Sequence, residues 1–162
     1  MNFIISESGV LERAELGDPG IVIPEGVRNI GEGEFCKRVP LLDITIPSGV
    51  TAIGDGVFAH CDRLEKVTIP DTVNTIGSRA FYDCYSLTDA VIPGSVTYIG
   101  DYAFADCNQL AHVTLPERVA HIGERAFAFC ESLTGAIILN RETYVGPEAF
   151  YGCNCTLSFV EE

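Results

Sequence analysis

Hydrophobic residues recur along the chain in one order and with one period. An Ile-Gly or Val-Gly pair appears every 23 residues, and a Phe follows the Ile or Val five positions later. The phenylalanines of this series are Phe35, Phe58, Phe81, Phe104, Phe127 and Phe150. Pro, Cys and Leu recur in the same register in most of the six copies. A constant period of this kind predicts a solenoid in which each coil packs against its neighbours alone.

A single repeat unit predicts the elements of one coil. Residues 67–69 alternate between apolar and polar, which predicts a short half-buried strand that Pro70 ends. Gly77 follows a second short extended segment and is expected to turn the chain at a positive φ. Phe81 and Cys84 lie three positions apart, so they are expected to share one face of a single helical turn. Parallel stacking of such coils would place their strands about 4.8 Å apart.

Both ends of the chain depart from the period. Residues 1–20 lie outside it and are expected to form a hairpin-like cap over the first coil, because an open solenoid end exposes core and sheet edge. The six coils are expected to occupy residues 21–157, and residues 158–162 form a short C-terminal end. The prediction is therefore a single domain with a capped N-terminal end.

Charge and composition exclude several classes of function. The chain has 23 acidic and 10 basic residues, a formal charge of −13, which argues against nucleic acid as a partner. No apolar run is long enough for membrane insertion. The start of the sequence lacks the basic and apolar regions of a signal peptide, so the chain as written is expected to be cytoplasmic. A secreted or cell-surface protein that has lost its signal would look the same, and that alternative stays open.

The repeat motif resembles a known family. The pattern Ile-Pro-x-x-Val-x-x-Ile-Gly-x-x-Ala-Phe-x-x-Cys-x-x-Leu, clearest over 69–87 and 115–133, is similar to the BspA-like leucine-rich repeat (LRR_5) family. The resemblance implies a right-handed leucine-rich-repeat solenoid with a parallel β-sheet on its concave side. It also implies a bacterial, non-catalytic protein, since several members are surface proteins implicated in adhesion and the family shares no catalytic residues.

The cysteines are the most chemically suggestive side chains. Five recur with the period, at Cys61, Cys84, Cys107, Cys130 and Cys153. We favour a column of buried free thiols, with disulfides or a metal as the alternative. A linear column does not converge on one point as a zinc site requires. Cys36, Cys153 and Cys155 are expected to be accessible, and their redox state is left open. No cofactor or metal is expected.

Two rows of side chains are candidate protein-binding surfaces. The first is the outward face of the strands, where uncharged residues form a flat surface: Thr45, Thr68, Val91, Thr114 and Ile137. The second is a row of rings one coil apart: Tyr98, His121 and Tyr144. The competing explanations are that Thr and Val favour strands, and that the rings stack to stiffen the coil.

These observations favour a non-catalytic protein–protein interaction module. Its partner would be a protein of unknown identity, bound through the strand face or the row of rings. The alternative is a structural repeat segment that self-associates through its solenoid ends and has no separate ligand. An enzyme is not expected, because the sequence predicts no pocket in which titratable side chains converge.

Overall fold

A computed structural model describes residues 3–14, 20–31, 35 and 41–160 of the chain. These residues form β-strands and turns, with no helix among them. The strands are β1 (Phe3–Ile5), β2 (Val10–Ala14), β3 (Gly20–Val22), β4 (Asn29–Ile30), β5 (Asp43–Thr45), β6 (Ala52–Ile53), β7 (Lys66–Thr68), β8 (Thr75–Ile76), β9 (Asp89–Val91), β10 (Tyr98–Ile99), β11 (His112–Thr114), β12 (His121–Ile122), β13 (Thr134–Leu139), β14 (Tyr144–Val145) and β15 (Asn154–Phe159).

The strands stack coil upon coil into parallel sheets, which confirms the solenoid prediction. One sheet has eight strands in the order β1-β2-β4-β6-β8-β10-β12-β14, and another has five in the order β11-β9-β7-β5-β3. Paired residues are one repeat apart, as in the pairs Tyr98–His121 and Ile44–Val67. The second extended segment of each coil thus forms a sheet of its own. Strands β13 and β15 form a separate parallel pair.

The N-terminal strands close one end of the solenoid. β1 and β2 form the predicted antiparallel hairpin, and β2 also pairs with β4 in the parallel direction. Leu11 in β2 is fully buried under the first coil. Residues 15–19 of the predicted cap lie outside the described residues, as does Cys36, which was expected to be accessible.

The third side of each coil consists of tight turns where a single helical turn was expected. The amide of Phe58 donates to the Ala80 carbonyl at 2.8 Å, and that of Phe81 donates to Ala103 at 2.7 Å. These two amides therefore bond to the next coil. The bonds within the segment are those of successive tight turns, such as that from the Ala59 amide to the Gly56 carbonyl at 3.1 Å, and they do not form a helix. Two residues per coil adopt a positive φ here, for example Arg79 at 55° and Asp83 at 56°.

A column of phenylalanine rings fills the core. Successive rings from Phe35 to Phe150 stack with centroids 5.0–5.2 Å apart and interplanar angles of 16° or less. The first five rings are fully buried, whereas Phe150 is half-buried. Each coil depends on its neighbours to cover its ring, as expected for repeats that cannot fold alone.

The corner glycines are required by close packing and not by a positive φ. Gly77 is absent from the residues with positive φ, contrary to the sequence prediction. A Cβ built on Gly100 would lie 2.5 Å from the amide nitrogen of Ser78 and 2.7 Å from the carbonyl carbon of Gly77. Successive corners thus approach too closely for any side chain.

The last coil slips by one residue relative to the others. Leu139 stands where the other coils have Pro, and β13 extends to six residues where β11 has three. Gly135 takes a positive φ of 88° at the start of the slip. Ile137, predicted to point outward, is consequently buried at 4% exposure, because a one-residue shift in a strand exchanges its two faces. The prediction of Ile137 as a surface residue is therefore wrong.

The slip separates β13 from the five-stranded sheet. In the regular coils the amide of Thr88 donates to the Glu65 carbonyl at 3.3 Å, and that of Ala111 to Thr88 at 2.9 Å. Within the described residues no such bond links β13 to β11, and β13 pairs with β15. Val113 and Leu115 in and beside β11 are only half-buried as a result.

Candidate protein-binding surface

The eight-stranded sheet brings together the predicted ring residues. In β10 and β12 the first residue points outward, while Ile99 and Ile122 point into the core and are fully buried. The rings of Tyr98 and His121 stack at 4.6 Å with an interplanar angle of 9°. His121 and Tyr144 stack at 4.8 Å with an angle of 19°. The prediction that these three rings stack is confirmed, and we call them the ring stack.

The ring stack presents edges and hydroxyl groups to solvent. Because each ring lies flat on the next, His121 has both faces covered by tyrosines. Tyr98 is 39% exposed and Tyr144 is 55% exposed. A surface built from ring edges and phenolic hydroxyls offers hydrogen bonds together with rigid apolar area, the combination found where proteins bind proteins.

An open cavity of about 630 Å³ adjoins the ring stack. It lies between the turns that follow β11 and β13, where the last coil slips. Its lining residues are Thr97, Glu117, Arg118, Val119, Ala120, Asn140, Glu142 and Thr143. Three of these directly precede the members of the ring stack in sequence. With two carboxylates and one guanidinium, the cavity carries a net negative charge.

The slip of the last coil also explains how the cavity is built. The amide of Thr143 donates to the Asn140 carbonyl at 3.0 Å, as the amide of Val119 does to Pro116 at 3.1 Å. Thr143 therefore takes the buried place of a valine, and its hydroxyl donates to the Val119 carbonyl at 2.7 Å. Counting in steps of 23 residues could not reveal this exchange.

The five-stranded sheet exposes most of the second predicted surface. Its four outward residues in register are exposed, with Val91 at 69% exposure. They are Thr45, Thr68, Val91 and Thr114. Next to them runs a column of titratable residues, Asp43, Lys66, Asp89 and His112. Ile137 is buried and does not continue this surface.

A polar row on the turn side escaped the sequence reasoning. Arg79 and Arg125 both lie over the ring of Tyr102, with guanidinium carbons 5.3 and 6.0 Å from its centroid. Arg125 also pairs with Glu148, its Nε donating to Oε2 at 2.6 Å. Arg79, Tyr102, Arg125 and Glu148 all have a positive φ of 51–57°. The equivalent residue of the preceding coil is Gly56, whose φ is 63°. This glycine is the only sign of the shared conformation in the sequence.

A second polar group on the turn side joins three neighbouring coils. His60 Nδ1 lies 3.0 Å from Asp83 Oδ2, and its ring meets that of Tyr82 edge-on at 5.4 Å. Burial and the nearby Asp106 raise the pKa of Tyr82, and burial raises the pKa of Asp106. No cluster of three His, Cys, Asp or Glu side chains in the described part of the chain is arranged to hold a metal ion.

Four members of the cysteine column, Cys84, Cys107, Cys130 and Cys153, are free thiols, as favoured from the sequence. Cys61, Cys84, Cys107 and Cys130 are buried, whereas Cys153 and Cys155 are half-buried. The Sγ of Cys107 donates to the Phe81 carbonyl at 3.1 Å, and the same bond recurs from coil to coil. Burial raises the pKa of Cys107 well above its usual value. The Cys107 thiol therefore remains protonated at neutral pH.

Comparison with solved structures supports the same fold. A leucine-rich cell surface protein from Faecalibacterium prausnitzii is 30% identical, with a TM-score of 0.77 over 97% of this chain and 52% of that one. The leucine-rich repeat protein of Treponema pallidum is 26% identical, with a TM-score of 0.63 over 85% of this chain and 82% of that one. The pneumococcal vaccine antigen PcpA is 18% identical, with a TM-score of 0.73 over 96% of this chain and 46% of that one. The chain spans about half the length of the Faecalibacterium and pneumococcal proteins.

No curated protein matches the chain. In the part of the chain that the structure describes, no helix is long and apolar enough to cross a membrane.

The family comparison agrees with the repeat observed in the sequence. The model of the BspA type leucine rich repeat region matches residues 21–156 in six copies. The chain is therefore a member of the BspA-type leucine-rich repeat family.

Proposed function

We propose that this protein is a non-catalytic binding module that holds a protein partner against the ring stack of Tyr98, His121 and Tyr144. The observation that carries the proposal is the exposed stack itself, in which two tyrosines flank a histidine at 4.6 and 4.8 Å. Held by three adjacent strands, these side chains lose little conformational freedom when a partner binds.

The surroundings of the ring stack define the partner's chemistry. The cavity beside it has a net negative charge, and the whole chain carries −13. A partner with a basic segment would be drawn to this surface and could place a lysine or arginine side chain in the cavity. The strand face of Thr45, Thr68, Val91 and Thr114 contains no aromatic ring, so we rank it second.

An adhesion-related role at the bacterial cell surface fits the similarity to a cell surface protein. The test is biolayer interferometry of the purified chain against a panel of purified extracellular-matrix proteins. For any protein that binds, Tyr98→Ala/Tyr144→Ala should weaken affinity by about tenfold or more, as loss of central aromatic residues does.

A matched double variant on the other surface provides the control. Thr45→Ala/Thr68→Ala removes two exposed side chains from the five-stranded sheet and should leave affinity unchanged. Binding lost with this control but retained by the tyrosine variant would assign the site to the strand face. Failure of every matrix protein to bind would contradict the adhesion role.

A further inference from the structure

The five-stranded sheet presents a column of polar side chains on the side of the solenoid. In β5, β7, β9 and β11 the first residue points outward and is exposed, while the second is turned towards the core. The strands are in register, so the four exposed residues follow one another one coil apart. In chain order they are Asp43, Lys66, Asp89 and His112, and we call them the charged column. Because this face lies on the side of the solenoid, coils stacked at either end leave it uncovered.

Acidic and basic side chains alternate along the charged column. The Lys66 ammonium lies between the carboxylates of Asp43 and Asp89, and His112 offers a ring N–H donor in either protonation state. In β3 the same position is Gly20, which carries no charge. A column that alternates in this way is complementary to itself when it is reversed end for end.

The charges of the column do not pair with one another. The Lys66 ammonium forms no ion pair among the described residues, although Asp43 and Asp89 lie one coil away on either side. The ion pairs that the described residues do form are both on the turn side. Asp89 accepts a hydrogen bond from the neighbouring Thr88 hydroxyl at 3.0 Å, which does not neutralise its charge. The column therefore keeps its charges available for a partner.

We propose that this face of the five-stranded sheet is a dimerisation surface that packs against the same face of a second copy of the chain. The two-fold axis would run along the strands between β7 and β9, so that the two solenoids point in opposite directions. Such an axis sets the two charged columns against each other in reverse order. Lys66 then faces Asp89 of the second copy, and Asp43 faces His112 of the second copy. The occupant is a second copy because the column is its own complement.

The second outward column of the sheet fits the same axis. It places Thr68 opposite Val91 and Thr45 opposite Thr114, so that uncharged residues meet uncharged residues. Val91, which is 69% exposed in the single chain, would be covered near the centre of the contact. Two columns of four side chains are a small contact beside the roughly 1,200 Å² that stable complexes bury. The dimer should therefore form at high protein concentration and dissociate on dilution.

Charge reversal at the centre of the face tests the dimer by sedimentation velocity over a concentration series. Lys66→Asp sets carboxylates against carboxylates, and Asp89→Lys sets ammonium groups against ammonium groups. Each variant alone should dimerise at least about tenfold more weakly than the parent chain. An equimolar mixture of the two variants restores opposite charges at both central pairs and should dimerise like the parent chain. A buffer of about 0.1 M ionic strength screens the repulsion between two chains of −13 beyond about 10 Å.

A matched variant controls for net charge. Asp62 is exposed and lies outside the sheets, so Asp62→Lys makes the same change of charge as Asp89→Lys and should dimerise like the parent chain. A parent chain that stays monomeric at every concentration would overturn the proposal. So would reversal variants that each dimerise as strongly as the parent chain, a mixture that dimerises no better than either variant alone, or an equal loss in Asp62→Lys. Since these variants leave the ring stack intact, their outcome is separate from that of the matrix-binding experiment.

Discussion

The coil around Phe104 and the last coil share all their anchors but the proline, and only the former keeps the 23-residue register on all three sides. In the former, Pro93 follows a three-residue strand, and its carbonyl accepts the Val96 amide at 3.0 Å. In the latter, Leu139 takes the place of proline and the strand extends to six residues. The turn carbonyl is then supplied by Asn140, one residue later.

The difference shows which anchors hold which side of the coil. The Phe column and the corner glycines continue unchanged into the last coil, where Phe127 and Phe150 stack at 5.2 Å. The five-stranded sheet does not continue into the last coil, which is the coil where leucine replaces the proline. Proline ends a strand because it cannot donate to the ladder. In this solenoid the proline thus sets strand length and, through it, which side chains face outward.

The largest expected effect separates the middle of the Phe column from its end. Phe104→Ala removes a fully buried ring stacked on both faces and should lower the free energy of unfolding by about 3–5 kcal/mol. Phe150→Ala removes a half-buried ring stacked on one face and should cost less than half as much. Urea unfolding followed by circular dichroism measures both. Equal losses would mean that the last coil is packed as tightly as the middle.

The next effect tests the one-residue slip. Leu139→Pro restores proline at the position given by the 23-residue period, but it removes a buried leucine and the amide N–H of the last residue that β13 pairs with β15. It should cost about 2–4 kcal/mol. Asn140→Pro instead places proline at the structural equivalent of Pro116 and should change stability by less than about 1 kcal/mol.

The two proline variants are each other's control, compared by the same urea unfolding. Both change one residue of the same turn, so a general sensitivity of the last coil would affect them alike. If Leu139→Pro were the better tolerated of the two, the strand would be in the regular register and Ile137 would be exposed after all.

The corner glycines give a smaller but sharper contrast. Gly100→Ala forces a Cβ against the backbone of Ser78 and Gly77 and should cost about 1–3 kcal/mol through overpacking. Gly56 has nothing within 4 Å of its missing Cβ, and its φ of 63° is one that non-glycine residues adopt in four other coils. Gly56→Ala should cost no more than about 1 kcal/mol. Thermal unfolding of the two variants measures both losses. If a positive φ, and not close packing, were the reason for glycine, Gly56→Ala would lose more stability than Gly100→Ala.

Sequence reasoning predicted the features that every coil repeats. The Ile-Gly, Phe, Cys and Pro positions gave the solenoid, the buried column and the stacking of Tyr98, His121 and Tyr144, because a repeated residue faces the same surroundings in each coil. It failed at Ile137, where the period itself changes. The row of Arg79, Tyr102, Arg125 and Glu148 could not be anticipated, because varied residues share a backbone conformation there and not a residue type.

The smallest effect concerns the cysteine column and depends on pH. Burial raises the pKa of Cys107 in the folded chain, whereas the unfolded thiol ionises near pH 9. The folded state therefore keeps a proton that the unfolded state loses, and stability falls as pH rises above the unfolded pKa. Cys107→Ser keeps a donor for the Phe81 carbonyl without a thiol that ionises in this range. Between pH 8 and 10 the free energy of unfolding of the parent chain should fall by about 1–2 kcal/mol more than that of this variant.

The matched comparison is Cys155→Ser, which changes a half-buried thiol outside the column. Its loss of stability between pH 8 and 10 should differ less from that of the parent chain. Parallel stability–pH curves for the parent chain and Cys107→Ser would show that the buried thiol does not contribute to the alkaline loss.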